Sequence, residues 1–255
     1  MKGKKIFLPA LLSVILLAGA VAADAEIYIK QNRHTDAYSV MGQSQLEKNE
    51  ITITWLANDK ARTDIGEETS IIVLAEKKIM IMINHEDMTY MEMPLTGGDM
   101  FGAMLQGEQS EEAKKAMEMA KKMAQGMMAS MEAKVMETGE TKKIKDWNCR
   151  KYLIEVSMAM GKVKSEAWAT EDVKIDPRLY FMAANAMMAT QQGFENLLKE
   201  MQKVKGMIVY QESTSEVMGS EVKMVEEVVE ISEKSAPAGA FDVPSGYKKA
   251  KGMGR

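Results

Sequence analysis

The sequence contains few of the residues from which disulfide frameworks, histidine-rich metal sites and nucleophilic active sites are built. Cys149 is the only cysteine, which excludes an internal disulfide, and His34 and His85 are the only histidines. The motifs G-x-S-x-G and H-E-x-x-H and a glycine-rich phosphate loop are absent. A formal net charge of −4 disfavours nucleic-acid binding, which depends on basic residues. We therefore expect a protein without catalytic activity, cofactor, metal or nucleic-acid partner, and we expect a buried Cys149.

Residues 1–25 have the composition of a secretory signal peptide. Three lysines near the start precede the apolar run IFLPALLSVILLAGAVAA, and small residues lead to Ala25. We predict cleavage between Ala25 and Glu26. A transmembrane anchor is the alternative reading, but Pro9 interrupts the short apolar run and no stop-transfer charges follow it. Later segments are too short or too polar to span a bilayer, so we expect an exported chain that is soluble after cleavage.

Residues 26 to 93 have the pattern of antiparallel strands joined by tight turns. In the stretch EITITWLA, apolar Ile51 and Ile53 alternate with Thr52 and Thr54, which is typical of a half-buried strand.

The stretch KKIMIMIN differs because both faces of its strand are apolar. Its three isoleucines point to one face, while Met80 and Met82 point to the other. We therefore predict that this strand is covered on both sides, by protein or by ligand.

Residues 98–132 predict a methionine-rich helical insert. Its last part, MEMAKKMAQGMMASME, contains six methionines, and on a helical wheel the charged residues gather opposite the alanines and methionines. Leaving six methionine side chains in water would forfeit on the order of 10 kcal/mol, so this face must cover something. Core packing, a ligand groove and a docking surface for a partner all remain open.

The second half of the chain alternates strands with a predicted helical pair. A strand hairpin at 147–170 sets Tyr152, Ile154 and Val156 on one face, helices follow from residue 177, and Gly206 ends the second of them. We predict an α+β fold, in which a strongly curved antiparallel β-sheet, a half-barrel, carries helices packed on its concave side. The single domain would span 26–248, with a flexible tail at 249–255.

Several segments together resemble a known family. They are HTDAYSVMGQ, METGETKKIKDWNCRKYLIEVSM with its partner EAWAT, and APAGAFDVPSGYKK. They resemble the bacterial exported domain-of-unknown-function family 4412, and the W-N-C-x-K-Y and F-D-V-P-x-G-Y motifs are the most specific parts. The family has no established activity. The resemblance implies a periplasmic location and a lipoprotein-carrier-like architecture with an apolar cavity.

These observations lead to one main hypothesis and two alternatives. The main hypothesis is a non-enzymatic periplasmic protein that binds a hydrophobic ligand, namely a lipid, an acyl chain or a lipoprotein moiety. The ligand-binding side chains would be those of Met80, Met82, Met117, Met123, Met127 and Met131. The first alternative is an envelope module that docks a partner protein through the methionine-rich face. The lesser alternative is a Cu(I)-binding protein, because thioethers select that ion.

Overall fold

The chain folds into fourteen strands and one helix within the residues that the structure, a computed structural model, describes. Those residues are 26–40, 43–95, 131–158, 161–175, 180, 194–217 and 219–250. The strands are β1 (Ile27–Thr35), β2 (Tyr38–Val40), β3 (Gln43–Gln45), β4 (Lys48–Leu56), β5 (Lys60–Ile65), β6 (Thr69–Leu74), β7 (Ile79–Asn84), β8 (Thr89–Pro94), β9 (Glu132–Ile144), β10 (Trp147–Met158), β11 (Gly161–Thr170), β12 (Met207–Val217), β13 (Ser220–Glu233) and β14 (Lys248–Lys249). The helix α1 spans Phe194–Met201.

Twelve strands form one sheet, in the order β14-β8-β7-β6-β5-β4-β1-β13-β12-β11-β10-β9, while β2 and β3 pair separately. Strands β4 to β8 form one meander and β9 to β13 form a second. Strand β1 joins the meanders, since it pairs antiparallel with β4 on one side and with β13 on the other. The pairing is antiparallel throughout the large sheet except between β14 and β8.

The predicted α+β class, with helices packed on the concave side of the sheet, is wrong for the described residues. They are almost entirely β-structure, and their one helix has eight residues. The physical reason lies in the core, where strand side chains bury one another. Ile29 of β1, Met80 of β7 and Val209 of β12 belong to a single buried cluster that draws on ten strands of the sheet. A sheet this long therefore supplies its own apolar filling.

The predicted helical regions meet different outcomes. The methionine-rich insert at 98–132 and the helix from residue 177 to about 190 lie almost wholly outside the described residues. The helix before Gly206 is confirmed as α1. Gly206 has a φ of 84°, and a Cβ at this position would lie 1.9 Å from the carbonyl oxygen of Thr170. Only glycine fits here, because the connection between α1 and β12 passes so close to the backbone of β11.

Strand β7 is covered on both faces, as predicted. Met80 is fully buried in the main core, while Ile83 is fully buried on the opposite face. The cover on that opposite face comes from the C-terminal segment, through Phe241, Val243 and Tyr247. The F-D-V-P-x-G-Y motif therefore packs against the outside of the sheet.

The tail shows one pairing near its start. Lys248 and Lys249 pair with Thr89 and Tyr90 of β8. Residues 251–255 lie outside the described part of the chain, so their flexibility stays a prediction.

Candidate functional site

A cavity of about 390 Å³ lies against one face of the sheet, which we call the inner face. Among the described residues, its walls come from seven strands (β5, β4, β1, β13, β12, β11 and β10), from Leu197 and Met201 of α1, and from Tyr180. Because side chains of seven neighbouring strands meet around one space, the sheet curves around it. The volume falls within the roughly 300–1,000 Å³ that is usual for small-molecule sites.

Polar side chains cross the middle of the inner face in a continuous row, which we call the polar belt. Its members are Gln31, Arg33, Thr52, Thr54, Thr63, Ser165, Gln211, Ser213 and Glu226. Strand register makes the row continuous, because members on adjacent strands stand directly opposite each other. The inner positions of neighbouring strands usually carry apolar residues, so a polar row facing a cavity is a departure from core packing.

Hydroxyl and amide groups of the belt are paired with one another. The hydroxyls of Thr54 and Thr63 lie 3.2 Å apart, and those of Ser165 and Ser213 lie 2.9 Å apart. The Gln211 Nε2 donates to Ser213 Oγ at 2.9 Å. These pairs satisfy buried polar groups that would otherwise destabilise the fold.

The charged groups of the belt neutralise each other. Arg33 Nε donates to Glu226 Oε1 at 2.8 Å, and its Nη2 lies 2.6 Å from the same oxygen. Next to this pair, Tyr180 Oη donates to Gln31 Oε1 at 3.3 Å. Burial, and secondarily the negative charge of Glu226, raises the pKa of Tyr180 well above its ordinary value. Tyr180 therefore faces the cavity as a neutral hydrogen-bonding group.

Thr52 departs from the pairing seen elsewhere in the belt. Its side chain is only 8% exposed and lines the cavity. Within the described chain, its Oγ1 is the one buried side-chain polar atom that has no hydrogen-bond partner. Buried polar groups in native proteins are nearly always paired, so this hydroxyl is available to pair with a molecule in the cavity, water included.

Apolar side chains form a wall of the cavity at the β10 end of the belt, and others, such as Ile65 and Met224, stand among the belt residues. Ile154 and Val156 come from β10, and Leu197 and Met201 come from α1. Ile154 and Met201 pack in one cluster with the buried Tyr152. The cavity thus has an apolar wall and a polar floor, which suits a molecule with one apolar part and one hydrogen-bonding part.

The predicted binding methionines lie in different places. Met80 is fully buried in the main core and Met82 packs against the same core. Neither is among the residues that line the cavity. Met131 is 3% exposed and packs against Leu197, at the edge of the cavity wall. Met117, Met123 and Met127 lie outside the described residues. The assignment of these six methionines to ligand binding therefore stays a prediction.

Methionines on β7 and β8 form a quartet inside the core. Met80 stands opposite Met93, and Met82 stands opposite Met91. Met80 and Met93 are at most 1% exposed, and all four belong to or pack against the main apolar cluster. Thioether side chains adapt to irregular gaps, which explains their use here as packing groups. The Cu(I) hypothesis is not tested by this arrangement and stays a prediction.

A serine, a histidine and an aspartate meet on the outside of the sheet. Ser70 Oγ donates to Asp64, accepts from Arg62 Nη2 at 2.9 Å, and lies 2.7 Å from His85 Nε2. His85 Nδ1 lies 2.8 Å from Tyr247 Oη. Ser70 is 1% exposed and its hydroxyl hydrogen is directed at a carboxylate. Through the contact between His85 and Tyr247, this hydrogen-bonded group holds the C-terminal segment against the sheet.

Cys149 is buried, as predicted, and it is a free thiol. It is 1% exposed and belongs to the main apolar cluster. Desolvation is the largest cause that raises its pKa above the ordinary value of a thiol. Because the thiolate is the reactive form, Cys149 is suited to packing.

Glu26, at the predicted cleavage site, is tied to the last part of the sheet. Its backbone oxygen accepts from Lys234 N at 3.0 Å, and its carboxylate accepts from Ala236 N. Strand β1 starts at the next residue. Cleavage before Glu26 would leave this strand intact, and the cleavage itself stays a prediction. None of the helices that the described residues form has the length and apolar character to cross a membrane.

The sequence contains two signals for the cavity, but the predicted ligand-binding residues were methionines instead. The polar belt comes from Thr52, Thr54 and similar residues in strands, where hydroxyl side chains ordinarily indicate the solvent side. A second signal was the unusual density of serine and threonine in the stretch QESTSEV of β12. In the structure, Thr52 and Thr54 of β4 and Ser213 and Ser215 of β12 line the cavity.

Comparisons with known proteins give a family and, among solved structures, distant neighbours. The family model described as "Domain of unknown function (DUF4412)" matches residues 102–247. No curated protein matches the sequence significantly. A crystal structure described as an outer membrane lipoprotein-sorting protein domain from Vibrio parahaemolyticus aligns with 84% of this chain and 87% of its own, at 6% identity and a TM-score of 0.33.

Proposed function

This chain belongs to the DUF4412 family, and we propose that it binds an amphiphilic ligand, a lipid or another acylated molecule, in the cavity of the inner face. The observation that carries the proposal is the division of the cavity into an apolar wall and a polar belt. The acyl chain would lie against Ile154, Val156, Leu197 and Met201. The polar end would face the belt.

The proposal is one of binding without catalysis. The hydroxyls and amides of the belt are paired except for that of Thr52, and the Arg33–Glu226 pair leaves no net charge. Such groups orient a ligand through hydrogen bonds. The expected signal peptide supports an exported protein, and we place its site of action in the periplasm as part of the same proposal.

The alternative of a docking module rests on the methionine-rich face of residues 98–132. That face lies almost entirely outside the described residues, so the alternative stays a prediction. Self-association in size-exclusion chromatography would favour it, because a large exposed apolar face drives association.

Calorimetric titration of the delipidated mature chain with short monoacylglycerols tests the proposal. Octanoyl- and decanoylglycerol differ by two methylenes, and each buried methylene contributes about 0.8 kcal/mol. We therefore expect saturable binding of both, with a Kd about tenfold lower for the longer ligand. The absence of saturable binding of either ligand would overturn the proposal.

A charge placed in the apolar wall should weaken the binding of these monoacylglycerols. Met201→Glu puts a carboxylate into the wall, where it has no counter-charge, and we expect the Kd to rise by at least about tenfold. The matched control is Gln202→Glu, which introduces the same residue and the same charge change at an exposed neighbouring position. Equal losses in both variants would show that the wall is not the binding surface.

A further inference from the structure

We infer that Thr52 determines the polar specificity of the cavity by donating its hydroxyl hydrogen to an uncharged acceptor, such as the ester or amide carbonyl of an acylated ligand. This inference rests on the proposed function, since it concerns the same cavity. It adds the chemical class of the ligand's polar group and the side chain that recognises it.

The first argument is the contrast between two threonines of β4. Thr54 faces Thr63 across the strand pair and shares a hydrogen bond with it at 3.2 Å. Thr52 faces Ile65 at the equivalent position, and an isoleucine side chain offers no hydrogen bond. Both threonines are buried, but only Thr52 Oγ1 has no partner within the described residues.

The other neighbour of Thr52 does not pair with it either. Gln31 stands opposite Thr52 on β1 and its Oε1 accepts a hydrogen bond from Tyr180, but the Gln31 side chain makes no hydrogen bond with Thr52 Oγ1. The Thr52 hydroxyl is therefore buried, lines the cavity and is left to a group that enters it. Because this buried hydroxyl has no partner in the protein, a ligand without an acceptor at this place would leave it unpaired, which makes it a determinant of specificity.

The second argument is the charge of the cavity. The charged side chains among its described lining residues are Arg33 and Glu226, which contact each other at 2.6 Å. Arg33 also stands opposite Glu50 on β4. An ionised carboxylate entering the cavity would lose water without gaining a free counter-charge, whereas an ester or amide would not meet this penalty. The cavity should therefore prefer an acyl ester to the free fatty acid of the same length.

The test compares decanoylglycerol with decanoate at pH 8 by calorimetric titration of the mature wild-type chain and three variants. Thr52→Val keeps the shape of the side chain and removes the hydroxyl, and Thr52→Ser keeps the hydroxyl. Thr170→Val is the matched control, because it removes a buried hydroxyl that already accepts a hydrogen bond, from Asp172 N at 3.1 Å, and that does not line the cavity. The thermal midpoint of each ligand-free variant is measured as well.

We expect wild-type protein to bind decanoylglycerol at least about tenfold more tightly than decanoate. In Thr52→Val the Kd for decanoylglycerol should rise about five- to tenfold, the loss of one hydrogen bond, and Thr52→Ser should retain binding. The ligand-free Thr52→Val variant should have a higher thermal midpoint than wild type, because a buried unpaired hydroxyl is removed. Thr170→Val should have a lower midpoint and a Kd within about twofold of wild type.

Three outcomes would overturn the inference, and they are distinguishable. Equal affinity of wild type and Thr52→Val for decanoylglycerol would remove Thr52 as the determinant while leaving the proposed function standing. Decanoate binding as tight as decanoylglycerol binding would contradict an uncharged polar group. Failure of wild-type protein to bind either ligand would overturn the inference together with the proposed function.

Discussion

Two parts of the same inner face differ in what fills them. On β7 and β8 the inward side chains are the methionine quartet, which is packed into the main core. On β4, β1, β13 and β12 the inward side chains include those of the polar belt beside core residues such as Ile29 and Val209, and a cavity lies over the belt. Both parts belong to one sheet and follow the same alternation. The comparison shows that the cavity lies over the polar part, while the methionines fill the other part.

The contrast gives the sulfur-rich composition of the chain a structural meaning. Unbranched thioether side chains fill the irregular space where the sheet packs on itself. The belt keeps its shape differently, through hydrogen bonds such as those joining Ser165, Ser213 and Gln211. A cavity survives over the belt because paired polar groups do not gain from collapse as apolar groups do.

The largest expected effect on the free energy of unfolding comes from disrupting the packing of the methionine quartet. Met80→Ala should lower the free energy of unfolding by about 2–5 kcal/mol, because the side chain is fully buried and its removal leaves a void. Urea unfolding followed by circular dichroism measures the change. Binding of decanoylglycerol by the folded fraction should remain, since Met80 does not line the cavity.

Met136→Ala is the control for this substitution. Met136 on β9 is 39% exposed, so the same exchange should change the free energy of unfolding by no more than about 0.5 kcal/mol. A loss below about 1 kcal/mol for Met80→Ala would contradict the close packing of the quartet. A selective loss of ligand affinity would instead extend the site into the core.

The second prediction weakens the polar part. Ser213→Ala removes the hydroxyl that pairs with Ser165 and accepts from Gln211, so it should lower the free energy of unfolding by about 1–2 kcal/mol. The matched control is Ser44→Ala, which breaks the exposed hydroxyl pair of Ser39 and Ser44 and should have almost no effect. Equal effects in the two variants would show that the belt's hydrogen bonds add nothing through their burial.

Much of the strand structure could be predicted from the sequence, because alternation has a direct physical cause in the pleat. The facing of Tyr152 and Ile154 inward, the two-sided cover of β7 and the helix before Gly206 all followed from periodicity. Periodicity also gave a strand for EITITWLA, but the expected faces are inverted at its start, while Trp55 on the apolar face is buried. Thr52 and Thr54 are 8% and 4% exposed, while Ile51 is 48% exposed.

This inversion explains why the candidate site could not be predicted. The alternation of two residue types shows that a strand has two faces, and the inner face is then assigned to the apolar set by assumption. A strand whose inner side chains border a cavity breaks that assumption, because those side chains do not pack into an apolar core. Strand order was the other missing information, because Arg33 and Glu226 are 193 positions apart and meet only where β1 joins the two meanders.

The smallest expected effect concerns Tyr210, which lines the cavity beside the belt, at high pH. A hydrogen bond to the Glu212 carboxylate, with burial as the second cause, raises the pKa of Tyr210 to about 12 from 10.0. Between pH 10 and pH 12 the unfolded chain loses this proton while the folded chain keeps it, so the folded state loses stability as the pH rises through this window. Urea unfolding of wild type and Tyr210→Phe at intervals from pH 9 to about pH 12 should show a shallower decline in the variant. If the free energy of unfolding declined with pH in parallel for the two proteins, the phenol of Tyr210 would titrate alike in the folded and unfolded states. The surroundings of Tyr210 would then be more open to water than the part of the belt around Ser213.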